Sequence, residues 1–335
     1  MKNGIYIYGI IKTSEPQDFG QIGIGDEPSH VQTISFKDIS AVTSKSPLVH
    51  YDKVAKDKVI KDLITHQFVV EKVMSSFTIV PVKFGTMVET TGDAFSFLEK
   101  GYALLSEELG KMEQKIELDI VVSWNLQKVL AHVYRQDSQI QIKQEELALQ
   151  GSNARTEDKI TLGKLIEQAL KSEKVRYNEL VQQTLQQGAQ DMCLHDLAGD
   201  EMIFNAAFLL EKQHEESFTT LVNSLDEKLE GVMNFRVVGP LPVYSFSTIL
   251  LEKLDAQKLE EAKKVLALRG EITDKTVRDA YHHLAQEHHP DKHGNAEQFP
   301  RINAAYRTLK NFVTNGLMRI EVYRWEKDFK PINPG

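Results

Sequence analysis

Hydrophobic and polar positions change period several times along this chain, and the changes mark its elements. Residues 4–11 read Gly-Ile-Tyr-Ile-Tyr-Gly-Ile-Ile, the β-branched and aromatic composition of a buried strand. Residues 30–36 and 39–44 predict two more strands. Over residues 53–74, Val59, Leu63, Phe68, Val70 and Val73 recur at an approximately helical period, which predicts a helix. A short apolar strand over 79–84 is closed by Gly85, and Phe95, Leu98, Tyr102 and Leu105 place a helix over 91–109. Strands and helices in this order predict an α+β domain.

The pattern then restarts. Ile116, Leu118, Ile120 and Val122 alternate along a half-buried strand over 115–123, whereas residues 135–152 are Gln-rich and weakly patterned and predict an insertion of mixed structure. A long helix over 157–187 carries Ile166, Ala169, Leu170, Tyr177, Leu180, Val181, Thr184 and Leu185 on one face. Residues 191–197 and 201–210 flank Ala198, Gly199 and Asp200, a hairpin signal. Phe218, Leu221, Val222, Leu225 and Leu229 point inward from a helix over 213–230, and residues 235–239 are a last strand. Strand, helix, hairpin, helix, strand is the split βαβ order of a ferredoxin-like sheet. Pro240 and Pro242 both lack a backbone donor, so residues 239–246 are expected to form an extended arm rather than regular structure.

A charged, Leu-rich helix over 250–268 leads to the last part. Thr273 is placed to cap a helix whose apolar positions are Val277, Tyr281, Leu284, Ala285 and His288. Pro290 breaks that helix within the turn at 289–294, and a second stripe runs Phe299, Ile302, Tyr306, Leu309 and Val313, with Pro300 tolerable in the first turn. Residues 317–325 alternate as a terminal strand or docking arm. The expected fold class is therefore α+β, laid out as an N-terminal α+β domain (1–112), a ferredoxin-like α+β domain with an arm (113–248), an all-α helical hairpin (249–314) and a tail (315–335).

Composition narrows the function classes. The 335 residues are 41% hydrophobic and 26% charged with a formal net charge of -8, ordinary globular values that argue against a generic nucleic-acid binder. Cys193 is the sole cysteine, so no intrachain disulfide forms and a reducing compartment fits. No stretch approaches the length of a membrane span, and the expectation is a cytoplasmic protein without membrane partners. No phosphate loop, nucleophile elbow or paired cysteines occur, so the chain reads as neither an enzyme nor a cofactor binder. His289 and His293 have the spacing of half a zinc site, but the cysteines are missing and Pro290 intervenes. His66 and His195 read as satisfied structural histidines, Cys193 as a buried inert thiol, and Trp124 and Trp325 as packing residues.

Tyr281 with Leu284 and Ala285, the tripeptide His289, Pro290 and Asp291, and then Phe299, Ile302, Asn303, Ala305, Tyr306 and Leu309 resemble a J domain, the helical hairpin of the DnaJ co-chaperones. The resemblance implies docking on an Hsp70 ATPase through His289, Pro290, Asp291, Arg278 and Lys292, with no chemistry in the module itself. J domains usually carry a basic helix before the turn. Here Lys275, Arg278, His282 and His283 are opposed by Asp274, Asp279 and Glu287, which predicts weak long-range steering.

For the body, Tyr6, Tyr8, Gly9 and Ile10, then His66, Gln67, Val69, Val70, Glu71, Val73 and Met74, then the run from Ile79 through Val82, Lys83, Phe84, Gly85 and Thr86 are similar to the amino-terminal half of the gas vesicle accessory proteins of the F and L type (GvpF/GvpL). Asn205 to Leu209 and Val238, Gly239, Pro240, Pro242, Tyr244, Ser245 and Phe246 fit the carboxyl-terminal half. Lys83 stands where that family tends to have Arg, and Leu241 and Val243 replace its usual Trp and Pro. The resemblance implies a non-enzymatic assembly factor located at gas vesicles. Its implied partners are the small apolar shell subunit and other gas vesicle accessory proteins, with Hsp70 recruited through the J-like module. Contacts to the shell subunit are expected at Lys83, Phe84, Pro240, Tyr244 and Phe246. The competing reading is a general J-protein co-chaperone for an unrelated client.

Overall fold

The apolar run at the start of the chain becomes the central strand β1 (Asn3–Ile11) of a mixed-length sheet. It is followed by β2 (Asp18–Gly23), β3 (Ser29–Phe36), β4 (Ile39–Pro47), helix α1 (Lys56–Met74), β5 (Ile79–Pro81), β6 (Met87–Val88) and helix α2 (Thr91–Lys111). The strand order is β2-β3-β4-β1-β5, with β6 also on β1, and the pairs within it are antiparallel. Tyr6, Ile7, Tyr8, Ile10 and Ile11 are fully buried, with β1 paired between β4 and β5 and both α1 and α2 packed against it. The structure described is a computed structural model, comprising residues 3–153, 155–229, 231–254, 256–288 and 298–325.

Helix α1 buries a face that only partly coincides with the expected one: Val70 and Val73 point inward, but not every predicted position does. Its buried positions are Asp62, His66, Val69, Val70 and Val73, whereas Leu63 and Phe68 lie on the outside. Two polar side chains take the inner face because they have hydrogen-bond partners there, buried Tyr6 on β1 and half-buried Tyr51 in the short 3-10 turn at Tyr51–Lys53.

The second part of the chain comprises β7 (Lys115–Trp124), α3 (Leu126–Gln136), α4 (Ser138–Gln150), α5 (Thr156–Gln186), β8 (Asp191–Leu194), β9 (Met202–Glu211), α6 (Glu215–Lys228) and β10 (Met233–Leu241). Its sheet has the order β10-β7-β9-β8, antiparallel throughout. Alternation on β7 sends Ile116, Leu118, Ile120 and Val122 into a core with Tyr177, Val181 and Leu185 of α5 and Phe218, Val222 and Leu225 of α6. The predicted insertion of mixed structure is instead largely the regular helix α4. Asp137 caps it by accepting from the amides of Gln139 and Ile140, and its Gln, Glu, Lys and Leu residues favour helix although only Ile140 is buried.

The expected extended arm also differs. Strand β10 continues to Leu241, which pairs with Glu117 after a register shift, since a sheet edge tolerates a residue without an amide donor. A tight turn follows, with the Phe246 and Ser247 amides donating to the Val243 carbonyl, and Val243, Ser245, Phe246 and Ser247 are buried.

The helix expected over 250–268 begins as a strand, β11 (Thr248–Lys253), before α7 (Ala256–Val265). Then come α8 (Asp274–Glu287), α9 (Gln298–Asn315) and β12 (Met318–Tyr323). Strand β11 pairs antiparallel with β12 from Thr248↔Tyr323 to Lys253↔Met318, and a partner from the end of the chain overrides the local helical pattern. By compactness the described residues divide into residues 3–111 with 248–323, and residues 112–247 with Arg324 and Trp325. No described helix is long and apolar enough to cross a membrane.

Candidate functional site

In the first unit the turn after β5 is held from beneath by a buried polar cluster. The Gly85 amide donates to the Tyr6 hydroxyl (2.9 Å), and that hydroxyl lies 3.0 Å from His66 Nδ1. All three groups are satisfied when Tyr6 donates to a neutral His66 while accepting from Gly85. Burial holds the His66 imidazole down to about 3 and raises the Tyr6 phenol well above its ordinary range. Tyr51 donates to Asp62 (3.0 Å), whose carboxylate also pairs with Lys58 (3.2 Å). Phe84 is half-buried, with its ring 4.6 Å from that of Tyr51 and 5.8 Å from that of His66. Gly85 has φ +84, a conformation that favours glycine. Thr86 closes the turn through its amide and hydroxyl, both donating to the Lys83 carbonyl.

The same turn meets the mount of the C-terminal helices. The Lys83 amide donates to the Ile249 carbonyl (2.9 Å), and Val82 forms a parallel bridge with Ile249. The ribbon is closed at its far end by the Leu254 amide on the Leu317 carbonyl, and Lys253 pairs with Asp93 at 2.8 Å. A Cβ on Gly101 of α2 would sit 3.0 Å from Ile320 Cδ1, so the absence of a side chain there lets β12 pack against the helix. A cleft of about 680 Å³ lies at this junction, lined by Leu48, Met87 and Val88 from the body and Lys253, Leu254 and Leu317 from the mount.

Between the two ribbon strands, Leu259, Ala262 and Leu266 of α7, Val277 of α8, and Ile302, Ala305 and Leu309 of α9 form one core. Thr273 caps α8 as its sequence predicts, within a capping box completed by Thr276. Tyr281 stacks on Tyr306 at 4.2 Å and donates to Asn303 at 2.8 Å. Arg278 is tied to Asp274, which also takes Lys310. The expected docking residues His289, Pro290, Asp291 and Lys292 lie outside the described residues.

In the second unit, Pro240 is exposed on β10, Tyr244 is half-buried and Phe246 is buried in the turn. These three residues and the pair Lys83 and Phe84 belong to different units. Beneath the turn lies a cluster that pattern reading missed. Glu117, on the polar phase of β7, is buried and accepts from the Ser245 amide and hydroxyl, both at 2.8 Å. Burial first, and the Asp119 carboxylate second, raise the Glu117 carboxyl above its ordinary range, and burial raises Asp119 as well. His195 Nε2 lies 3.2 Å from the same Ser245 hydroxyl, and burial lowers its imidazole. Serine, not histidine, stands at the centre of this trio, so the group holds a turn rather than preparing a nucleophile. The Trp325 amide donates to the Ser245 carbonyl, its carbonyl accepts from Cys193, and burial pushes the Cys193 thiol up to about 11. Two acidic residues on an alternating strand were the only available signal, and exposed charge was the simpler reading.

Among the described residues no group of three His, Cys, Asp or Glu side chains is arranged to hold a metal ion. Comparisons with known proteins match two successive stretches of the chain. The family profile of the gas vesicle synthesis protein GvpL/GvpF matches residues 4–248, and that of the DnaJ domain matches residues 263–314. Gas vesicle protein F of Microcystis aeruginosa is 28% identical over 253 residues, 75% of this chain and 100% of that one. The crystal structure of GvpF from the same species is similar in fold at TM-score 0.54 and 26% identity, covering 72% of this chain and 98% of that one. The GvpF structure from Anabaena sp. PCC7120 gives TM-score 0.59 at 24% identity, covering 72% and 97%. The chain thus belongs to the gas vesicle synthesis protein GvpL/GvpF family and carries a DnaJ domain within its C-terminal region.

Proposed function

We propose that this gas vesicle accessory protein binds the small apolar shell subunit and presents it to an Hsp70 recruited by the J-like module. The observation that carries the reading is the mounting of that module. Its helices leave and rejoin the body through paired strands, and the ribbon is bonded to the turn that bears Lys83 and Phe84. A flexible tether would suffice to keep an unrelated module nearby; a two-ended mount favours work on something held by the same unit. The cleft of about 680 Å³ at this junction, lined by apolar and charged residues of both parts, is of a size that takes part of a client. A physical need exists, because a subunit with exposed apolar surface and unpaired strand edges aggregates unless held.

Lys83, Phe84, Pro240, Tyr244 and Phe246 are the proposed contacts on the body. Phe246 is buried and acts by shaping the turn. On the module, His289, Pro290, Asp291, Arg278 and Lys292 are the proposed Hsp70 contacts. The strand order β10-β7-β9-β8 with α5 and α6 packed against the core supports reading the second unit as ferredoxin-like, and the proposed modular layout keeps body and J-like helices as separate functional parts.

The test is the steady-state ATPase of a bacterial Hsp70 with the full chain, with and without purified shell subunit. Stimulation that grows when the subunit is present, and is lost in Asp291→Asn, is expected. Equal ATPase with and without the chain would remove Hsp70 from the reading, and no affinity for the shell subunit would remove the client.

A further inference from the structure

Fourteen large apolar side chains are exposed among the described residues, and four of them sit on α1: Ile60 at 48%, Leu63 at 40%, Ile64 at 62% and Phe68 at 52%. Ile60, Ile64 and Phe68 follow one another at four-residue spacing, so they form one stripe roughly 12 Å long, with Leu63 beside it. The stripe is a product of the fold. Asp62 and His66 claim the inner face through Tyr51, Lys58 and Tyr6, and the outer face keeps apolar residues that the core does not use.

Charge identifies what fits there. Lys61 and Lys72 flank the stripe on one side and Lys56 lies on the other; all three are exposed, and no carboxylate of the described residues pairs with them. In a chain of net charge -8 this is a local basic frame around an apolar seam. Asp57 and Glu71 fall in line with the stripe at its two ends, where an anionic bilayer would be repelled but a helix of limited overlap would not. A second copy would set lysines against lysines.

We infer that the outer face of α1 docks an amphipathic helix of another protein, with an apolar seam against Ile60, Ile64 and Phe68 and Asp or Glu residues opposite Lys56, Lys61 and Lys72. A ridge of residues four apart packs into the groove of a second helix, and flanking charges select the partner. The inference stands whether that partner is the shell subunit or another gas vesicle protein.

A photo-crosslinker answers it directly: Ile64→p-benzoylphenylalanine in the full chain, irradiated in vesicle-forming cells, with the adduct mapped by peptide mass spectrometry. The expected adduct lies on a helix of a gas vesicle protein whose apolar seam is bordered by carboxylates. Lys61→Glu with Lys72→Glu should cut its yield roughly tenfold, and reversing two of the partner's acids to Lys should restore it. Both lysines are exposed, so an unchanged thermal melt serves as the folding control. An adduct to lipid or to a second copy, no adduct, or a yield insensitive to charge reversal overturns the inference. An adduct to a different gas vesicle protein leaves it standing while withdrawing support from the shell-subunit reading.

Discussion

Tyr6, His66 and Gly85 show how one buried hydroxyl fixes a surface turn. Tyr6→Phe leaves the Gly85 amide and His66 Nδ1 without their partner and should cost about 1–3 kcal/mol, read as a lower midpoint in urea. The same imidazole sets an acid limit. Unfolded, it takes a proton near its ordinary value of 6.5, but folded only at about 3. Between those pH values the unfolded state holds the extra proton, so stability falls as pH falls, by up to about 1.4 kcal/mol per pH unit. His66→Gln should flatten that limb in pH-dependent denaturation.

Glu117 works in the other direction. Its folded value is raised, so the folded state holds the extra proton above the ordinary carboxylate range, and stability falls as pH rises towards the folded value. Glu117→Gln can still meet the Ser245 hydroxyl and amide, and it should remove this alkaline loss in the second unit. Neither network was legible in the sequence, because Tyr6 and His66, or Glu117 and Ser245, lie far apart along the chain. Helical periodicity on α1 suited either face, and only the positions of the buried partners decided between them.

Most elements announced themselves through local chemistry. The alternation of β7, the hairpin at Gly199 and the Thr273 cap were readable because each depends on neighbouring residues. Strand β11 was not, since its pairing depends on β12 at the other end of the helical module. Strand β2 was missed as well, for its polar Asp18–Gly23 sequence carries little strand signal. The ribbon's packing is open to test: Gly101→Val would press branched carbons against Ile320 and Leu105, and overpacking of this kind costs about 1–3 kcal/mol. Amide exchange over Met318–Tyr323 should rise about tenfold or more, with the β7 amides unchanged. Within the module, Asp274 pairs with both Arg278 and Lys310. Asp274→Asn should free both charges and increase Hsp70 stimulation at low salt, the gain shrinking as salt is raised.

At the scale of the whole molecule, a family body and a DnaJ domain share one chain, and the module is held at both ends. The chain returns after β12 to place Arg324 against Asp191 at 2.6 Å and Trp325 beside His195, so these two residues are part of the second unit's structure. Removing everything from residue 259 onward would therefore damage the body as well as the module. Joining β11 to β12 with a short turn in place of residues 256–315 isolates the module's contribution. The most direct measurement is gas vesicle yield in cells carrying that excision, with binding of the shell subunit assayed alongside. The account predicts retained binding and a several-fold lower yield, reproduced by Asp291→Asn; full yield from the excised chain would contradict it.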